Sequence, residues 1–131
     1  MSTKVAIIAS NGSLFDAYKV FNIATASAAT DAEVGIFFTF DGLNLIHKQA
    51  YQQLPMPEGR ENMAEGFKNA NVPSIPELVS MAQEMGVKMI GCQMTMDVMN
   101  LKQEDFVDGI EVGGAVTFLD FAKDANITLT F

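Results

Sequence analysis

The sequence predicts an α/β fold: a three-layer α/β/α sandwich around a five-stranded, mainly parallel sheet. Two observations carry this reading. Short runs rich in β-branched and aromatic residues alternate with longer segments whose apolar residues recur at helical spacing. Val5–Ala9 is apolar without interruption, as strands covered on both faces are. The 131 residues show no internal repeat, linker or low-complexity stretch, so a single domain over 1–131 is expected.

Val5–Ala9 is the first strand, and Ser10-Asn11-Gly12 turns the chain. Ser13 with Asp16 three residues on is a capping-box start. The helix behind it carries Leu14, Tyr18, Phe21 and Ala28 on one face, with Ala17 and Ala24 beside them, and ends near Thr30-Asp31. Glu33–Phe40 is the second strand. Asp41-Gly42 leads into a short helix over Leu43–Lys48. From Gln49 to Val72 the periodicity fails around Pro55, Pro57, Gly59 and Gly66, which predicts a long excursion with about one helical turn. Ser74 caps the next helix, Pro76 suits its first turn, and Gly86 stops it. Its expected buried stripe is Ile75, Leu78, Val79, Ala82 and Met85. Val87–Ile90 is the third strand, Gln103–Phe106 a helical turn, and Ile110–Val112 the fourth strand. Gly113-Gly114 opens a helix through Ala125 with Val116, Leu119, Phe121 and Ala122 as its apolar positions. Ile127–Phe131 alternates as an edge strand.

Charge and composition exclude several function classes. Hydrophobic residues make up 49% of the chain, too many for a disordered tail, and the net charge of −8 opposes nucleic-acid backbones and docking on anionic membranes. No apolar run approaches the ~20 residues of a membrane span. The chain holds one cysteine, so no intrachain disulfide can form, which fits a cytoplasmic location. There is no G-x-G-x-x-G, P-loop or G-x-S-x-G pattern, no cofactor is implied, and Gly113-Gly114 reads as a turn more readily than as a phosphate cradle.

That single cysteine, Cys92, follows the third strand, where an open α/β sheet commonly places its chemistry. Two readings stand: a buried inert thiol, or a reactive one. On the reactive reading, Thr95 caps a helix beginning at Met96 and backbone N–H groups there favour the thiolate. Asp97 would raise the thiol pKa or act as its proton partner. Met94, Met96 and Met99 read as core or interface filler, or as an apolar wall around the sulfur. No third soft ligand makes them a copper site. His47, the sole histidine, is a solvated residue or a base or charge partner for Cys92. One histidine and one cysteine do not make a structural zinc site.

Four blocks carry a resemblance: Asp16-Ala-Tyr18, Ile36 to Leu45 (IFFTFDGLNL), Gly91 to Met99 (GCQMTMDVM) and Asp108 to Gly114 (DGIEVGG). In this order, over almost the whole chain, they resemble the DsrE/DsrF-like family. The resemblance implies an α/β/α sandwich, a homo-oligomer, and sulfur trafficking in which Cys92 takes up sulfane sulfur and hands it to partners such as TusA-like carriers or rhodanese domains. Related members carry a second cysteine shortly after the first. None follows Cys92, so a resolving thiol would come from another molecule or subunit. The expected function is a sulfur carrier or sulfurtransferase-like protein. The alternative is a non-catalytic small-ligand or protein-binding module with an inert cysteine. The apolar crowding of Phe37, Phe38, Phe40, Leu43 and Leu45 adds to the expectation of self-association.

Overall fold

The computed structural model describes residues 3–131. Strands β1 (Lys4–Ala9), β2 (Glu33–Phe38), β3 (Lys88–Cys92), β4 (Glu111–Gly113) and β5 (Ile127–Thr130) form one sheet in the order β4-β3-β2-β1-β5. Every neighbouring pair is parallel. Parallel neighbours need crossovers, and right-handed crossovers place helices on both faces. Helices α1 (Leu14–Ala29) and α3 (Ile75–Glu84) cover one face. There Ala17, Val20, Phe21, Ala24, Leu78 and Val79 pack against Val5, Ile7, Ile36, Phe38 and Met89. On the other face the cover is α5 (Ala115–Ala122), whose Phe118 and Phe121 lie over Ala6, Phe37, Ile90 and Cys92.

Local chemistry explains where the helices begin. The Ser13 Oγ accepts the Asp16 N–H at 3.2 Å, and Asp16 Oδ2 accepts back from the Ser13 N–H, closing the capping box of α1. The Ser74 Oγ accepts the Glu77 N–H at 3.3 Å at the start of α3, and Gly86 ends that stretch in the left-handed region at φ 85°.

Several elements differ from the sequence-based expectation. β2 stops at Phe38, and Phe40 turns the chain with a left-handed φ of 51°. Residues 40–45 then form a 3-10 segment, not a helix over 43–48. The excursion holds two 3-10 turns, Ala50–Gln52 and Glu61–Met63, and a short helix α2 (Ala64–Asn69). Phe67 of α2 stacks on Tyr18 at 5.0 Å and leans on Phe15 at 5.8 Å, which fastens the excursion to α1. α5 ends at Ala122, short of Ala125. Its Val116 and Leu119 are 80% and 58% exposed, because Phe118 and Phe121 take the sheet-facing side. Met85 caps α3 and is exposed, so it leaves the buried stripe. Of the aromatic and leucine cluster at the end of β2 and beyond it, Phe37, Phe38, Leu43 and Leu45 are core, and Phe40 alone stands out to solvent.

Candidate functional site

Cys92 is at once the last residue of β3 and the N-cap of α4 (Gln93–Val98). The helix therefore begins three residues before the expected start at Met96, and Thr95 lies within it. A cysteine is a poor capping residue and a threonine a good one, which is why the sequence points to Thr95. The hydroxyl of Thr95 is engaged elsewhere. Thr95 is the one buried polar residue among the described residues, 1% exposed. Its Oγ1 accepts the Phe40 N–H at 3.2 Å and lies 3.3 Å from the Thr39 Oγ1. Thr39 is brought there by the sheet: Phe38 pairs with Gly91, so the residue just after β2 comes level with Cys92.

The cysteine is 5% exposed and packs with Ile90, Phe37 and Phe118 under α5. That burial pushes its thiol up. The hydroxyls of Thr39 and Thr95 and the N–H groups of Thr95 and Met94 outweigh burial and hold it below the ordinary thiol value. No donor closes a cap hydrogen bond onto the sulfur.

The other expected participants are placed differently. Asp97 is exposed, and its Oδ1 accepts from the Gln93 Nε2 at 3.0 Å; it makes no contact with the thiol. Met96 is buried in the core cluster that α1 and α3 cover, not in the one that holds Cys92, and Met94 and Met99 are 57% and 40% exposed, so the three methionines form no wall around the sulfur. The Nδ1 of His47 accepts the N–H groups of Gln49 and Ala50, each at 3.2 Å, and its ring meets the edge of Phe106. His47 staples a loop and is absent from the groups around Cys92. Lys88, at the far end of β3, pairs with Glu111 at 3.6 Å. The sulfur's charge would therefore rest on hydroxyls and amides. Among the described residues no three His, Cys, Asp or Glu side chains cluster as a metal site. None of three cavities, of about 540, 440 and 240 Å³, is lined by Cys92.

Thr39 and Phe40 were not predicted as site residues. Both lie in a strand-like run, and only the pairing of β2 with β3 shows which end residue meets the cysteine.

The sequence profile of the DsrE/DsrF/DrsH-like family matches residues 1–63 and 54–130. The chain belongs to this family. The match breaks and restarts at 54–63, inside the excursion. A sulfur carrier protein, DsrE2 of Allochromatium vinosum, is 37% identical over 153 residues, covering 96% of each chain. The YrkE protein of Bacillus subtilis is 30% identical over 152 residues, covering 96% of this chain and 95% of its own. Both alignments are longer than the 131 residues here, so these DsrE-like relatives hold residues this chain lacks. Among solved structures, the YchN protein of E. coli superposes with a TM-score of 0.66 at 18% identity over 100% of both chains. Protein MTH1491 of Methanobacterium thermoautotrophicum does so at 0.69 and 11%, over 99% of this chain and 100% of its own. At such identities these two show the DsrE-like fold alone.

Proposed function

We propose that this chain carries sulfane sulfur on Cys92 and passes it to a thiol of another molecule. The observation that carries the reading is the polar cradle around the sole cysteine, which favours an anionic sulfur at the carboxyl end of the sheet. A relative named as a sulfur carrier supports it. In the loading step the Cys92 thiolate attacks the outer sulfur of a donor persulfide, R–S–SH. The donor's S–S bond breaks, R–S⁻ leaves, and Cys92 becomes a persulfide. An acceptor thiolate attacks that outer sulfur in turn and restores the Cys92 thiolate. No oxidant is consumed in either step. The chain has no second cysteine, so the acceptor thiol belongs to a partner or a second copy.

A small-ligand module using this sheet edge is less well supported, since the cavities lie elsewhere. A sulfur site with little exposed surface suits a donor that docks, such as a TusA-like or rhodanese persulfide, and we place that exchange in the cytoplasm. Among the described residues no helix is long and apolar enough to cross a membrane. Intact mass after incubation with a small-molecule persulfide or thiosulfate tests the proposal. The wild type gains one sulfur atom and Cys92→Ala gains none. A wild type without the adduct, or an equal adduct on Cys92→Ala, sinks it.

A further inference from the structure

We propose that the outer edge of β5 is a docking strand that pairs antiparallel with the β5 of a second copy, about a two-fold axis at Leu129. The backbone supplies the first argument. Phe131 donates its N–H to the Ile8 carbonyl at 2.8 Å, and its own carbonyl accepts the Ser10 N–H at 2.7 Å, so both groups are spent on β1. Alternate residues of a strand in a parallel ladder bond to opposite neighbours. Leu129 and Ile127, in register with Ile7 and Val5, therefore also face β1. The N–H and C=O groups of Thr128 and Thr130 point the other way, where no strand lies, because β5 ends the sheet. No described residue outside the sheet takes them as backbone partners.

Exposed edges invite pairing, and proteins blunt them with short strands, charges or proline. β4, at the opposite edge, is treated in this way: it runs only from Glu111 to Gly113, and its first residue is charged. Nothing of the kind guards β5. Residues 127–131, Ile-Thr-Leu-Thr-Phe, hold no charge and no proline in a chain of net charge −8. Ile127 is 46% exposed and both threonines are exposed, so the helices leave much of the strand open. The pattern is also complementary to itself, which selects a second copy over an unrelated strand. Two antiparallel β5 strands centred on Leu129 set Thr128 of each opposite Thr130 of the other. These are the residues whose backbone groups point outward, so each pair exchanges both of its bonds and no outward group is left over. Leu129 and Phe131 pack toward the core under α1 and α3, and Ile127 shares their side of the strand. On that side Ile127 meets Phe131 of the second copy, and Leu129 meets its counterpart. Aromatic with β-branched and threonine with threonine are favourable cross-strand neighbours, and no like charges are opposed. The interface is isologous and carries the sheet across both copies. It lies at the edge away from β4 and α4, apart from Cys92 and from the exposed side chains of α4.

The test places one engineered thiol at a time on the full chain carrying Cys92→Ala. Leu129→Cys brings two thiols face to face across the axis, with Cβ atoms about 5 Å apart, within reach of a disulfide. Ile127→Cys leaves them about 13 Å apart along the strands, out of reach. After mild oxidation, Leu129→Cys is expected to run as a cross-linked dimer on a non-reducing gel and Ile127→Cys as a monomer. Adding Thr128→Pro removes an outward N–H and leaves the ladder to β1 whole, so it should abolish the Leu129→Cys cross-link, with a thermal melt to show that the variant folds. Should it not fold, Thr130→Lys, which sets a charge on the same edge, takes its place. In the unaltered chain, amide exchange at Thr128 and Thr130 should slow about tenfold from dilute to concentrated solution, as mass action gives when roughly nine-tenths of the edges are paired. The pairing is overturned if those amides exchange at one rate at every concentration, or if Leu129→Cys gives no dimer. Equal cross-linking of Ile127→Cys, or a cross-link that survives in the folded edge variant, overturns it as well.

Discussion

At Gly42 there is no room for a side chain. A methyl group would overlap the Ala9 carbonyl, and the neighbouring Gly12 would meet the Asp41 carbonyl oxygen at 2.6 Å. The turns after β1 and β2 therefore interlock through bare backbone. Gly42→Ala must push the 39–45 segment outward and carry Thr39 from the cysteine. The expected cost is about 3 kcal/mol in a denaturant melt, with a smaller thiolate fraction at neutral pH. Cys92 itself makes stability depend on pH. Its folded thiol titrates below the ordinary value, so the unfolded chain holds the proton more tightly. The stabilisation from the thiolate is fully present above the unfolded value and is lost as pH falls through the folded one. Melts of wild type against Cys92→Ala should show the difference growing with pH across that window; a constant difference would contradict the lowered thiol.

The junction of β3 and α4 shows how one residue can serve two elements. Cys92 finishes the ladder opposite Gly113 and starts the helix. Sequence rules located the junction to within three residues and chose the better capping residue, whose hydroxyl tertiary contacts had already engaged. The cap of α1 is the opposite case. Ser13 and Asp16 were legible because the box is local, and both bonds form. Ser13→Ala is expected to cost about 1 kcal/mol, measurable by thermal melting. The excursion is held differently, by Phe67 against Phe15 and Tyr18 and by the Leu14 N–H donating to the Pro55 carbonyl. Truncating Phe67 to Ala should speed limited proteolysis within 55–72 while leaving the sheet's melt close to wild type. Unchanged cleavage would mean that the aromatic stack does not fasten this segment.

Across the whole molecule the two sheet faces are covered unequally. α1 and α3 share one face, and α5 lies across the other with Val116 and Leu119 turned outward. Met94 and Val98 stand exposed on α4, which begins beside the start of α5 because Cys92 and Gly113 are partners. Self-association is expected to use this side and not the buried Phe37, Phe38, Leu43 and Leu45. Sedimentation at micromolar concentration should show an oligomer that Val116→Glu with Leu119→Glu dissociates. A wild-type monomer under those conditions would refute it.

Much of the architecture is determined by the sequence by itself. Apolar runs at Val5–Ala9 and Val87–Ile90 read as buried strands, Ser13, Ser74 and Gly86 punctuate the helices, and one cysteine stands at a strand end. These signals are local, and hydrophobic period and capping act within a turn or two. Tertiary structure decided the rest. That Thr39 rather than His47 stands by Cys92, that Thr95 is buried with its hydroxyl on Phe40, and that Phe118 faces inward while Val116 faces out follow from strand register and packing. Both join residues that lie tens of positions apart, and no local pattern in the chain records which of them will meet.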